Sequence, residues 1–184
     1  TIPAAMDAFC HLSETEGKIG LDRILAPTIH YAEAGVPVAP RVAFDWAREA
    51  HVLQGSARQS YLINGKAPRT GQVFRAPGQA EVLRRVARDG RDAFYSGEIA
   101  EDMLAALTAL GGTHSAEDFT AVAATPCDPV SGPYKGVDLF EHPPNGQGAT
   151  ANLLLNILSH FDMASLDPIG AERVHIEAEA SKLA

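Results

Sequence analysis

Apolar residues recur at helical spacing along most of this chain. Met6, Phe9 and Cys10 share one face of a predicted helix over residues 4–16, which Gly17 ends. The segment 21–34 repeats the pattern, and Pro27 is expected to kink that helix or to split it in two. Similar periodicity and glycine stops predict further helical segments at 40–53, 79–89, 91–95, 98–110, 149–161 and 169–184. Ser115 with Asp118 makes a capping-box-like start for a short turn.

Strands are few in the predicted pattern. Residues 61–63 read as a short strand that enters a type I′ turn at Asn64-Gly65. Segments 122–131 and 134–141 are predicted as antiparallel strands joined at Gly132-Pro133. The expected fold class is therefore α+β and mostly helical, as a single domain over residues 1–184 with one short strand pair near 122–141.

A specific turn joins the last predicted strand to a strongly apolar helix. Its sequence, from Pro143 to Gly148, is Pro-Pro-Asn-Gly-Gln-Gly. The prolines end the strand because neither can donate a ladder hydrogen bond, and the glycines allow a close backbone approach. The loop of Asn145 to Gly148 and the free backbone amides of the next helix offer hydrogen-bond donors for an anion. A phosphate-binding Walker loop also needs a Lys followed by Ser or Thr, and neither follows here, so a structural turn is favoured.

Composition excludes some classes of partner. Of 184 residues, 46% are hydrophobic, which is enough to form a core, and the net charge of −8 argues against nucleic acid and against an anionic membrane surface. No segment has the length of a membrane span or the pattern of a signal peptide, and no compartment is indicated. The two cysteines, Cys10 and Cys127, are expected to be buried thiols rather than a disulfide.

Candidate catalytic residues do not form a complete set. Thr1 offers a hydroxyl beside an α-amine, as in an N-terminal nucleophile, but it leads directly into a helix and not into a strand. The seven histidines have no zinc-type spacing, and we expect neither a metal ion nor another cofactor. A basic cluster is expected to be a solvated helix face, or alternatively a docking surface: Arg84, Arg85, Arg88 and Arg91.

Several blocks, in order along the whole chain, resemble the γ-glutamyltranspeptidase family. Residues 25–35 are similar to its LAPAIxxAxxG block, and residues 90–100 to its GxxAFYxGxIA block. Weaker matches are residues 1–7 (the helix entry, with Ala4 where the family usually has Gly), Gly111-Gly112 with Glu117-Asp118-Phe119, Tyr134-Lys135-Gly136, and Pro143 to Gly148.

The resemblance implies a segment of the large subunit of an N-terminal-nucleophile hydrolase with an αββα fold. Such an enzyme is an autoprocessed precursor, and the partner of this segment would be the small catalytic subunit. A threonine at that subunit's new N-terminus, outside this chain, would transfer or hydrolyse the γ-glutamyl group of glutathione or a related amide. No catalytic residue, metal ligand or named substrate-binding residue is therefore assigned to residues 1–184, and the segment alone is expected to be inactive.

Other functions remain open at this stage. One alternative is that the segment belongs to a related acylase of the cephalosporin type, and another is that it serves as a non-catalytic interaction module. If it folds alone, its exposed apolar surface is expected to promote self-association.

Overall fold

The computed structural model describes residues 2–184, and the chain divides into two compact units, Thr1–Ala124 and Thr125–Ala184. The expectation of a single domain over 1–184 stays a prediction, and each unit is described here by itself.

The first unit is helical apart from one pair of two-residue strands. Its elements, in chain order, are α1 Ala5–Thr15, α2 Leu21–Ala34, β1 Val36–Pro37, α3 Pro40–Glu49 with a 3-10 turn Ala50–Val52, α4 Gly55–Tyr61, β2 Val73–Phe74, α5 Pro77–Asp89, α6 Asp92–Tyr95, α7 Gly97–Ala109 and α8 Ala116–Thr120. Each of these helices was predicted to within a few residues, except α4, which was not predicted, and α8, for which only a capped short turn was predicted.

Helix α2 packs along α5. Strand β1 follows α2, strand β2 precedes α5, and the two strands pair antiparallel. Gly35 ends α2 with a φ of 86°, and a Cβ there would lie 2.8 Å from the carbonyl oxygen of Phe74. Glycine is therefore required by both conformation and space. The expected split at Pro27 is wrong, since α2 runs unbroken through it. One missing N–H removes one backbone bond, and the turns on both sides keep the helix together.

The main core of this unit lies where α6, α7 and α8 meet. Tyr95 and Phe119 are fully buried there, with Ala100 between them. Met6 packs against this cluster, as its predicted helix face requires, whereas Phe9 is 63% exposed. The predicted inward face of α1 is therefore wrong at Phe9.

The predicted strand at 61–63 is also wrong, although its turn is confirmed. Tyr61 is the last residue of α4, and only Ile63 pairs, with Lys66. Asn64 and Gly65 have φ values of 52° and 76°, both positive as a type I′ turn requires.

The second unit contains a hairpin and two helices: β3 Val130–Tyr134, β4 Val137–Glu141, α9 Gly148–Leu158 and α10 Ala171–Leu183. The predicted pairing is confirmed, but its turn lies at Lys135-Gly136 and not at Gly132-Pro133. Both turn residues have positive φ, 50° and 88°, which makes a two-residue turn there. Pro133 sits inside β3, opposite Asp138, and residues 122–129 form no strand.

A small core joins these elements. Leu158, Met163 and Ala180 are buried together, and Tyr134 and Leu154 pack against them. The predicted helices at 149–161 and 169–184 correspond to α9 and α10.

The two cysteines differ in environment, so the prediction of two buried thiols is correct for Cys10 and wrong for Cys127, which is exposed. Both are free. Within residues 2–184, no helix has both the length and the apolar character needed to cross a lipid bilayer.

Candidate functional site

The loop after β4 has the local design that the sequence predicts. The strand ends at Glu141, two prolines follow, and α9 begins at Gly148. Gly148 is buried, and a Cβ at this position would lie 2.3 Å from the carbonyl oxygen of His142 and 2.6 Å from Cβ of Glu141. The glycine at the start of α9 is thus required by the close approach of the strand end.

The rest of the loop is open to solvent. Asn145, Gly146 and Gln147 are exposed, and Gln147 makes no side-chain hydrogen bond to the first turn of α9. Nothing lies within 4 Å of a Cβ built on Gly146. The favoured interpretation as a structural turn fits this geometry, and the anion-binding alternative stays a prediction.

One turn into α9, Asn152 lies against the hairpin. Its Nδ2 donates to the carbonyl oxygen of Gly148 at 3.2 Å, while its Oδ1 is buried with no hydrogen-bond partner among the described residues. A Cβ on Gly132 would approach that oxygen to 2.7 Å. Gly132 therefore makes room for Asn152 between β3 and α9.

A second polar arrangement, which we call the Asp7 node, consists of Asp7, Arg91 and Tyr95 in the first unit. Asp7 is 5% exposed, and its two carboxylate oxygens accept hydrogen bonds from Nε of Arg91 and from the backbone N–H of Ala124. The backbone N–H of Asp7 donates to the hydroxyl of Tyr95 at 3.0 Å. The backbone N–H and both carboxylate oxygens of this buried aspartate thus have partners from distant parts of the chain.

Arg91 and Tyr95 extend the node to two further segments. The guanidinium of Arg91 also donates to the carbonyl oxygens of Thr120, at 3.1 Å, and of Val122, and its carbon lies 4.9 Å from the centre of the Tyr95 ring. The hydroxyl of Tyr95 donates to the carbonyl oxygen of Pro3 at 2.7 Å. Burial raises the pKa of Tyr95, so the neutral phenol that this bond needs is favoured.

The node was not predicted from the sequence, because its members are far apart in the chain. Arg91 was assigned to a basic surface cluster, although Arg91 and Tyr95 also fall in the family-like block 90–100, and Asp7 falls in the family-like block 1–7. The available signals were these blocks and an aspartate at a helix position whose neighbours Met6 and Cys10 face inward. The hydrogen bonds of the node hold distant backbone segments together, so we interpret it as a structural element.

The remaining arginines of the basic cluster form ion pairs on the surface. Arg84 forms an ion pair with Glu33. Guanidinium nitrogens of Arg85 lie 2.6 Å from a carboxylate oxygen of Glu98 and 2.9 Å from one of Glu81. A guanidinium nitrogen of Arg88 lies 2.6 Å from a carboxylate oxygen of Asp89. Side-chain exposures of 33% to 72% make this the solvated helix face that was favoured from the sequence.

Other sequence candidates do not assemble into a reactive site. Ser115 is used as a helix cap, since its backbone N–H donates to Asp118 at 2.8 Å and its hydroxyl accepts from the Asp118 N–H at 3.4 Å. Within residues 2–184, no three His, Cys, Asp or Glu residues are placed to hold a metal ion. Thr1 lies outside the described residues.

Comparison with known proteins identifies the family. The family model described as gamma-glutamyltranspeptidase matches residues 1–184. The chain belongs to the γ-glutamyltranspeptidase family. The resemblance drawn from the ordered sequence blocks is thus confirmed.

Curated members of the family are similar to the chain over a limited part of their length. The glutathione hydrolase-like YwrD proenzyme of Bacillus subtilis is 30% identical over 184 residues, which are 99% of this chain and 35% of that protein. The oxamate amidohydrolase proenzyme of Klebsiella pneumoniae is 35% identical over 88% of this chain and 31% of its own length. The chain therefore spans about a third of these family members.

Solved structures of the family confirm the fold class. A cephalosporin acylase from Bacillus halodurans aligns with a TM-score of 0.89 and 34% identity, over 100% of this chain and 35% of that one. A γ-glutamyltranspeptidase from Helicobacter pylori aligns at a TM-score of 0.92 and 23% identity, over 98% of this chain and 53% of that one, which bears on the fold alone. The chain is an α+β, mostly helical segment of the N-terminal-nucleophile hydrolase fold.

Proposed function

We propose that the full-length protein transfers or hydrolyses the γ-glutamyl group of glutathione or a related amide, with a nucleophilic N-terminal threonine that lies outside residues 1–184. The observation that carries this proposal is the family match over all 184 residues. Relatives named glutathione hydrolase proenzymes, from Escherichia coli and Schizosaccharomyces pombe, cover 99% and 98% of the chain and support it.

In this proposal the present segment is scaffold. The buried carboxylate of Asp7 is engaged in the Asp7 node, and Ser115 is engaged in a helix cap. The proposed chemistry proceeds through a covalent acyl-threonine, which water or an amine then resolves. The donors that stabilise the tetrahedral intermediate would come from outside this segment.

The partner of the segment is proposed to be the small catalytic subunit of the same precursor. Support comes from the relatives, whose names describe them as proenzymes. Large apolar side chains that are exposed in the described structure offer surface for such a partner, or for self-association of the isolated segment: Phe9, Phe44, Leu110 and Ile169.

The first test compares two proteins on a chromogenic γ-glutamyl amide: the full-length gene product and the isolated 184-residue chain. We expect activity, and a precursor cleaved into two subunits on a denaturing gel, only for the full-length protein. Activity of the short chain that a Thr1→Ala change abolishes would overturn the proposal and make Thr1 the nucleophile.

A second candidate function is hydrolysis of another amide by the same class of enzyme. Its support is the 34% identity to a cephalosporin acylase and the 35% identity to an oxamate amidohydrolase, both higher than the 28% to the E. coli glutathione hydrolase. The full-length protein should therefore also be assayed on an acylated cephalosporin and on oxamate. Higher kcat/KM on either than on the γ-glutamyl amide would favour this candidate, and inactivity of a cleaved full-length protein on all three would favour a non-catalytic interaction module.

A further inference from the structure

A long stretch of the first unit carries positive charge without any carboxylate. Between Glu49 and Glu81 the sequence has Arg58, Lys66 and Arg69, followed by Arg75, and no Asp or Glu. The whole chain has a charge of 15 − 23 = −8, so the residues outside this stretch carry 11 − 23 = −12. A segment of charge +4 within an otherwise strongly acidic chain creates a local positive potential.

Two of these cations line one recess of about 440 Å³, formed by Ile63, Asn64, Lys66, Ala67, Arg69 and Gln72. Neither Lys66 nor Arg69 forms an ion pair with any described residue, whereas every arginine of α5 has a carboxylate partner. No lining residue is acidic. The recess thus presents two uncompensated positive charges to solvent.

The backbone around this recess is held in place by short turns. Ile63 and Lys66 exchange both backbone hydrogen bonds, at 2.8 Å and 3.1 Å, across the Asn64-Gly65 turn. The backbone N–H of Arg69 donates to Oε1 of Gln72 at 3.0 Å. The backbone N–H of Val38 donates to the carbonyl oxygen of Gln72 at 3.0 Å, and the carbonyl oxygen of Val38 accepts from the N–H of Gly71 at 2.8 Å.

Below these turns, Leu62 and Pro68 are buried and provide a firm base. The positions from which Lys66 and Arg69 project are therefore fixed before any ligand arrives, which lowers the entropic cost of binding.

We propose that this recess, the Lys66/Arg69 recess, binds a phosphate-type oxyanion. A lysine supplies a compact point charge and an arginine supplies a planar fork, and both are common partners of phosphate oxygens. The volume is that of a small-ligand site. The acidic remainder of the chain would repel a nucleic-acid backbone, so a small anion fits the charge distribution better. The proposal is independent of the amide chemistry proposed above.

The test is calorimetric titration of the full-length protein at low ionic strength, with inorganic phosphate in one arm and glycerol 3-phosphate in the other. The variant Lys66→Gln/Arg69→Gln removes both recess cations. Its matched control, Lys18→Gln/Arg23→Gln, removes two exposed cations that form no ion pair with any described residue and lie outside the recess. Both variants have the same net charge.

We expect saturable binding that the recess variant weakens by about tenfold or more and that the control leaves within about twofold. The exchange Lys66→Arg/Arg69→Lys retains both charges and should bind phosphate nearly as well as the parent protein. Such binding would show that substitution at these two positions is tolerated, so that weaker binding by Lys66→Gln/Arg69→Gln reports the lost charges and not a folding defect. Preference for the phosphomonoester over free phosphate would indicate that the natural ligand carries its phosphate on a larger molecule.

Three results would overturn the proposal. One is no saturable heat with either anion, and another is equal weakening in the recess and control variants. The third is binding of an acidic peptide, lost in the recess variant, with no binding of either phosphate, because this would assign the recess to a protein partner.

Discussion

Nε of Arg91 donates a hydrogen bond to Oδ1 of Asp7, a carboxylate that lies 84 residues earlier in the chain and whose side chain is only 6% exposed. The same guanidinium reaches the carbonyl oxygens of Thr120 and Val122. One arginine therefore connects α1, α6 and the segment after α8. Because the carboxylate is buried, its partner matters more than a surface partner would.

Replacing Arg91 by alanine should lower the free energy of unfolding by about 3 kcal/mol, because it leaves the buried Asp7 carboxylate without its cation. The measurement is a urea denaturation curve for the full-length protein. Arg88→Ala is the matched control: its carboxylate partner is the adjacent, exposed Asp89, so this change should lower stability far less than Arg91→Ala does. Equal losses in the two variants would show that the Asp7 node is not a special anchor.

Stability should fall at alkaline pH through Tyr95. Burial raises its pKa above the ordinary value of 10.0, so the folded state holds the phenolic proton more tightly than the unfolded state does. The resulting stabilisation is fully present below about pH 10 and is lost as the pH rises through the higher folded pKa.

The check is alkaline unfolding of the parent and of Tyr95→Phe, together with the ultraviolet absorbance of tyrosinate. The difference in tyrosinate absorbance between the two proteins should correspond to one tyrosine, which ionises only at the pH at which the protein unfolds. Tyr31→Phe removes the hydroxyl of an exposed tyrosine and is the control for the substitution itself. Early ionisation of Tyr95 in the folded protein would contradict the prediction.

Gly148→Ala should destabilise the protein by about 2 kcal/mol, because its Cβ overlaps the carbonyl oxygen of His142 and the side chain of Glu141. Thermal unfolding of the variant measures this loss. Gly146→Ala, two residues away in the same loop, meets nothing within 4 Å and should change stability by less than about 0.5 kcal/mol. Comparable effects of the two changes would show that backbone freedom, and not the close approach, makes Gly148 necessary.

Lys135→Asn should stabilise the protein by about 0.5 kcal/mol, because Lys135 has a φ of 50° in the hairpin turn and asparagine adopts this conformation at lower cost. Chemical denaturation of the variant gives the comparison. Lys135→Ala loses the same 3.4 Å contact of Nζ with the carbonyl oxygen of Phe161 but gains no left-handed preference, so it should not stabilise. Equal stabilisation by alanine would attribute the effect to the lost charge.

Local sequence rules correctly predicted features that depend on neighbouring residues. The capping box of Ser115 and Asp118, the turn at Asn64-Gly65 and most helix boundaries follow from side-chain and backbone preferences within a few residues. The ordered blocks along all 184 residues also identified the family. These are properties that neighbouring residues, or their order in the chain, encode directly.

The tertiary structure alone decided which polar side chains are buried, which apolar side chains are exposed, and where the hairpin turns. It buried Asp7 against the partly exposed Arg91, exposed Phe9, and placed Pro133 inside β3 with the turn two residues further on. The physical reason is that burial and strand register depend on partners that lie far away in sequence, such as Ala124 for Asp7 and Asp138 for Pro133. Periodicity gives the spacing of a face, but only the packed neighbours determine whether that face meets the core.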